Sequence, residues 1–380
     1  MTARPLAGAA ACALLIPLIS ALPPGPPAQR TRWNEGATAS ASRDPQTAAV
    51  PVRAGRLERL DARQGLEAAI AAAQAAGGEW IAWSVRAARH RVDRSGSDSL
   101  RGRTGVCVLR EDGTIDPEGW ERGPAERMTL IARTRNRTLA HVAFTSDSCV
   151  LDAGPRTVYW LDGVVPAQSV RLLAGLVRQT DDEEDEREGR RMSRDGLLAA
   201  VALHDDPEAD VSLRGFVQAG QPRALRRKAA FWLGAVRGEA GAATVEQLAR
   251  NDGDAEFREH LTFVLTLTGE RGIDTLIDLA RTDRNAGVRR QALFWLGQKA
   301  GDRAIGEIER AVDDPDSKIR TQAVFALSRL PADEGVPRLI AVARTHRDPH
   351  VRKQAMFWLG QSGDPRALQF FEDVLRSPTP

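Results

Sequence analysis

Six histidines, three cysteines and scattered carboxylates are the groups of this chain that could do chemistry. The histidines, His90, His141, His204, His260, His346 and His350, are spread over most of its length. His346 and His350 alone have the four-residue spacing that lets one helix face hold zinc. Pro349 and the turn residues around it deny them that helix, so all six read as polar loop histidines. No nucleophile elbow, phosphate-cradling glycine loop or paired-cysteine zinc motif occurs. Asp152 and Asp162 read as turn-forming residues, because acid–base work needs a cleft and a shifted pKa as well as two carboxylates. The chain therefore reads as non-catalytic, with no cofactor and no metal. An enzyme or enzyme subunit stays open as an alternative, recognisable by Asp152, Asp162 and an arginine converging in a deep polar pocket.

The cysteines lead to the compartment. Arg4 precedes a charge-free apolar run from Leu6 to Leu22, and Ala21 or Ala28 offers a small residue for cleavage. This predicts a signal peptide over 1–28, export to the periplasm or outside the cell, and no stable membrane insertion once it is removed. A Pro-, Ala-, Ser- and Thr-rich tether over 29–55 follows. With Cys12 gone, Cys107 and Cys149 remain, an even count that in an oxidising compartment predicts a disulfide. Two buried free thiols are the other reading.

Among the positioning elements, a helix is expected over Arg56–Ala76, closed by Gly77 and Gly78. Short β-type runs follow at Trp80–Val85, Val106–Leu109, Met128–Ala132, Leu139–Phe144 and Val158–Leu161, with a hairpin turn at Asn136. An amphipathic helix over Pro166–Gln179 completes a small α+β domain, 56–179, with four or five strands. The acidic block Asp181–Glu186 cannot pack and marks a linker over 180–192. Basic and acidic residues number 53 and 51, so no excess charge draws the chain to nucleic acid.

From 193 to 380 the chain repeats itself about six times, at a period of 31 to 32 residues. Val288-Arg289-Arg290-Gln291-Ala292-Leu293-Phe294-Trp295-Leu296-Gly297 typifies the first helix of each repeat. Apolar first, fifth and ninth positions form one helical stripe. The phenylalanines Phe231, Phe263, Phe294, Phe325 and Phe357 are expected to fill each layer. A second amphipathic helix follows each first, and neither can hide its apolar face alone, so the pairs must stack into an α-solenoid. Ser193 to Val201, a weaker copy, is expected to cap the array. Asp254, Asn285, Asp316 and Asp348 stand where side chains cap helix N-termini. An arginine follows each apolar anchor, at Arg194, Arg226, Arg258, Arg289, Arg320 and Arg352, and reads as a structural ladder to acidic caps. Trp232, Trp295 and Trp358 recur every 63 residues, marking a pair of repeats as the duplicated unit. Arg250, Arg281, Arg344 and Arg376, near the ends of second helices, are candidates for contact with an acidic protein partner, although cations are favourable there in any case.

The Asp-x-x-Val-Arg and Phe-Trp-Leu-Gly-Gln segments resemble HEAT-like repeats of the type grouped with phycobilisome-lyase repeats. Cys149–Gly154 and Tyr159–Val164 are similar to the N-terminal region of exported bacterial HEAT-repeat proteins. The resemblance implies an α+β domain followed by an all-α solenoid, and a protein-binding scaffold of the cell envelope. A lyase-like enzyme subunit and a structural envelope component are the alternatives. Some helical-repeat enzymes hold two irons with paired His-Glu dipeptides; here no His precedes a Glu, and Glu259-His260 is a single reversed copy.

Overall fold

The computed structural model describes residues 52–88, 102–110, 115–123, 126–147, 149–180, 193–299 and 301–376. The expected signal peptide, the expected tether as far as Pro51 and the acidic block lie outside the described residues, while 52–55, expected as the end of that tether, belong to the first strand.

Seven strands form one sheet: β1 (Val52–Asp61), β2 (Trp80–Arg86), β3 (Gly102–Leu109), β4 (Ile115–Gly123), β5 (Arg127–Arg135), β6 (Thr138–Ser146) and β7 (Cys149–Asp162). The order is β4-β3-β7-β2-β5-β6, with β1 also paired to β7. The long β7 organises the sheet: β1, β2 and β3 all run parallel to it. Asn136 and Arg137 both take positive φ, 52° and 60°, in the two-residue turn joining β5 to β6, as a type I′ hairpin requires.

Two expectations are corrected here. The helix expected over Arg56–Ala76 begins only at Leu66, as α1 (Leu66–Ala75), and Arg56–Asp61 is strand, paired with Thr157–Asp162. Leu57 and Leu60 suit a helix stripe as well as a strand face, and long-range pairing decides between them. The sheet also exceeds the expected five strands. One strand missed is β4, an edge strand whose Pro117, Glu118 and Glu121 carry no apolar alternation.

Strand alternation splits the sheet core in two. Trp80, Ala82, Cys107, Ile131, Cys149, Leu151 and Trp160 share one buried cluster. Ile81, Trp83, Val85, Leu130 and Ala132 join the other, together with α1 and α2 (Pro166–Gln179). That second cluster does not stop at the sheet: it continues through every helix pair to Phe370.

The pairs are α3 (Arg194–Leu203) with α4 (Pro207–Phe216), α5 (Arg223–Val236) with α6 (Gly238–Asn251), and α7 (Ala255–Leu265) with α8 (Glu270–Thr282). Then come α9 (Ala286–Lys299) with α10 (Ile305–Ala311), α11 (Ser317–Arg329) with α12 (Ala332–Thr345), and α13 (Pro349–Ser362) with α14 (Pro365–Arg376). The anchors Leu225, Phe257, Val288, Ile319 and Val351 are buried, as are the fifth-position Ala229, Leu261, Ala292, Ala323 and Ala355. Each fully buried Leu, Ile or Val contributes about 1.5–3 kcal/mol. The first pair is no free-standing cap. Every residue of α3 from Leu197 to Leu203 is buried, because α2 and the sheet cover it.

Candidate functional site

Each arginine of the column after the anchors reaches back to a backbone carbonyl at or just beyond the end of the preceding helix. Arg194 binds Thr180 O, and Arg226 Nε donates to Val217 O at 2.9 Å. The Nη1 atoms of Arg258, Arg289, Arg320 and Arg352 donate to the carbonyls of Asp252, Asp283, Asp314 and His346 at 2.7–2.9 Å. Helix ends leave such carbonyls without intrahelical partners, so the column staples each second helix to the first helix that follows. Three of these arginines also reach forward. Arg226 pairs with Asp252, Arg258 with Asp283, and Arg320 with Asp348 at 2.8 Å. Arg226 further stacks over the Phe257 ring, 3.9 Å from its centre.

A second acidic column, which the sequence reading misses, completes this arrangement. Asp252, Asp283 and Asp314 accept the N–H two residues on at 2.7–2.9 Å, and His346 does the same through Nδ1 at 3.0 Å. Asp254, Asn285, Asp316 and Asp348 then cap the next helix. The signal was present as Asp252-x-Asp254, Asp283-x-Asn285 and Asp314-x-Asp316.

The four candidate partner-binding arginines have partners inside the chain. Arg250 pairs with Asp278, Arg281 with Glu307 at 2.9 Å and Arg344 with Asp373 at 3.5 Å, each on the following second helix. Among the described residues Arg376 pairs with Glu372 of its own helix, at 3.5 Å. The Glu307 carboxylate is buried and is held by Arg310 as well, while the Arg281 side chain stays more than half exposed.

The phenylalanine column does not fill the layers as expected. Leu233, Leu265, Leu296, Leu327 and Leu359 do that, and the phenylalanines lie partly exposed on the opposite side of each first helix. They form one continuous path of rings. Phe231 stacks on Phe263 and Phe294 on Phe325, at 6.4 and 6.0 Å. Phe263 meets Trp295 at 5.3 Å and Phe325 meets Trp358 at 5.2 Å. Phe–Phe and Phe–Trp contacts therefore alternate between successive first helices, which accounts for the 63-residue spacing of the tryptophans. His260 lies beside Phe263, and burial lowers its pKa.

The remaining groups stay apart. Asp152 accepts from Gly154 N at 3.0 Å, while Asp162 holds Arg59 with two bonds at 2.5 and 2.7 Å. The stretch between the two carboxylates runs beside seven residue steps of β1, from Ala54 to Asp61, about 23 Å of strand, so they do not converge. Cys107 and Cys149, on neighbouring strands with Cα atoms 5.9 Å apart, are joined as a disulfide. His90 lies outside the described residues, and His350 is exposed in the first turn of α13. His204 is no loop histidine but a fully buried one. Its Nε2 meets the Ser169 hydroxyl at 2.9 Å, which accepts from Trp83 Nε1 at 2.8 Å, while Nδ1 donates to Ala200 O at 2.6 Å. This network ties β2, α2 and α3 together. Though it brings a serine to a histidine, neither has access to a substrate.

The profile of HEAT repeats matches residues 273–344 and 308–380. No curated protein matches the chain. Among solved structures, the complex of CpcE and CpcF of phycocyanin lyase from Nostoc sp. PCC7120 is similar at 24% identity, covering 40% of this chain and 99% of that one, with a TM-score of 0.32. A designed armadillo repeat protein in complex with the peptide (KR)4 is similar at 14% identity, over 50% and 99% of the two chains, with a TM-score of 0.29. Human deoxyhypusine hydroxylase in complex with glycerol follows at 16%, over 56% and 92%, with a TM-score of 0.25. Likenesses of this size carry no functional weight. The profile match and the six stacked helix pairs, five of them carrying the apolar anchor, the arginine and the ninth-position leucine, identify the C-terminal part of the chain as an array of HEAT-like helical repeats.

Proposed function

We propose that the chain is a non-catalytic protein-binding scaffold of the cell envelope, and that the partner docks on the aromatic path of the first helices. The observation that carries this reading is the path itself, eight rings from Phe231 to Trp358 held partly exposed in one row by the repeat. Aromatic side chains supply much of the energy of protein interfaces. The arginines first considered for this role are engaged inside the chain, and on this reading the partner is apolar where it meets the rings. Export is supported by the apolar N-terminal run and agrees with the paired cysteines.

The test is affinity purification from the native envelope fraction with the unaltered chain and with Phe263→Ala/Phe325→Ala, both checked for equal unfolding midpoints. A protein retained by the first and lost with the second is the expected result. Equal recovery by both rejects the surface. Recovery of the chain with an intact N-terminus in the cytoplasm rejects the compartment.

A further inference from the structure

The helices that carry the aromatic path are charged with one sign. α5, α9, α11 and α13 contain no aspartate or glutamate, in a chain whose 53 basic and 51 acidic residues nearly cancel. Only α7, with Glu256 and Glu259, breaks the series. The column arginines on these helices are spent on the staples. Arg227, Arg290, Lys318, Arg329 and Lys353 are not, and have no carboxylate or carbonyl partner among the described residues. All five stand beside the rings. Arg227, Arg290 and Lys353 each precede a path phenylalanine by four residues, one turn away on the same helix face. Arg329 follows Phe325 by four, and Lys318 precedes it by two turns. Arg290 is half-buried and the other four are exposed. Like charges gathered on one face repel one another, and an occupant that brings carboxylates relieves that repulsion.

We propose that the occupant of the aromatic path is an acidic protein segment, apolar where it meets the rings and carrying carboxylates to Arg290, Lys318, Arg329 and Lys353. This rests on the docking surface proposed above and adds the sign of its partner's charge. Charge complementarity of this kind selects a partner and speeds its capture. The rings argue for the same occupant. Phe231–Phe263 and Phe294–Phe325 are stacked pairs with planes 7° and 4° apart, so their faces are turned to each other. That leaves the positively polarised ring edges for an occupant, a further welcome for carboxylates. It also denies nucleobases the free aromatic faces on which they stack, so the cations do not mark a nucleic-acid groove.

Fluorescence anisotropy of the full chain with a labelled peptide of repeated Glu-Leu-Gly tests this. A peptide of repeated Lys-Leu-Gly and an oligothymidylate of equal length are the comparisons. Binding of the Glu peptide alone, weakened by added salt, is expected. Arg290→Glu/Lys353→Glu removes two cations without partners among the described residues, so unfolding midpoints should not change. It should weaken the Glu peptide on the order of tenfold or more, and Arg290→Gln/Lys353→Gln should weaken it less. No binding of the Glu peptide, tighter binding of either comparison, or equal binding by the charge-reversed chain overturns the acidic occupant. Recovery from the envelope fraction separates this failure from that of the surface. A protein lost with Phe263→Ala/Phe325→Ala but retained by Arg290→Glu/Lys353→Glu upholds the docking surface and rejects the acidic partner.

Discussion

Arg258 grips Asp283 through two hydrogen bonds, Nε to Oδ2 at 2.9 Å and Nη2 to Oδ1 at 3.0 Å, with both side chains almost excluded from water. The pair crosses from one repeat to the next, and the hydrogen bonds raise the arginine pKa. Asp283→Ala leaves a buried guanidinium without its counter-ion and should cost roughly 3–5 kcal/mol in urea unfolding. Asp283→Asn keeps one acceptor and should fall between that variant and the unaltered chain. A loss below about 1 kcal/mol for the alanine variant, the range of an exposed pair, would contradict the staple.

His204 titrates well below its ordinary range, at about 4, chiefly because burial disfavours the charged ring. The unfolded chain takes up its proton near pH 6.5, before the folded chain can. The stability contributed by the neutral ring is therefore complete above pH 6.5, declines as pH falls towards 4, and is absent below. The difference amounts to roughly 3 kcal/mol. Unfolding free energies from pH 7.5 to 4 should show this slope in the unaltered chain and a clearly shallower one in His204→Gln, where His260, also lowered by burial, still contributes.

Gly297 and Gly360 occupy the same repeat position with opposite surroundings. Gly297→Ala pushes a methyl into Ala326 and should cost about 1–3 kcal/mol. Gly360→Ala has open space and gains helix propensity, up to about 1 kcal/mol, measured in dilute solution. Equal effects in thermal unfolding would show that the two helices do not approach as closely as described.

The Cys107–Cys149 bridge spans 42 residues within the sheet, so closing it beforehand should stabilise folding by about 4 kcal/mol. A reducing agent should lower the melting temperature of the unaltered chain and leave Cys107→Ser/Cys149→Ser unchanged. Equal melting with and without reductant would place the cysteines as free thiols.

The repeats are legible in the sequence because each anchor recurs with its arginine and its ninth-position apolar residue, and helical geometry turns that spacing directly into a buried stripe. The direction of the phenylalanines is harder to read. They neighbour the stripe in sequence, and only the assembled array shows that the inner side is already filled by Ala292 and Leu296, both fully buried. Asp252, Asp283 and Asp314 were hidden for a related reason. A carboxylate just after a helix reads as solvated until the first helix of the same pair lays an arginine over it, as Arg226 does over Asp252 and Arg258 over Asp283. His204 and Arg56–Asp61 owe their places to residues some 35 to 100 positions away, Ser169 and Thr157–Asp162, which no local pattern contains.

The alternation of Phe–Phe and Phe–Trp contacts sets a quantum on how such an array can change length. Loss of one repeat by unequal recombination would place two tryptophan-bearing helices, such as α5 and α9, side by side, with an indole where the neighbour expects a small residue. Loss or gain of two repeats restores the order at every junction. Lineages of this gene should therefore differ in size by steps of about 63 codons rather than half that number.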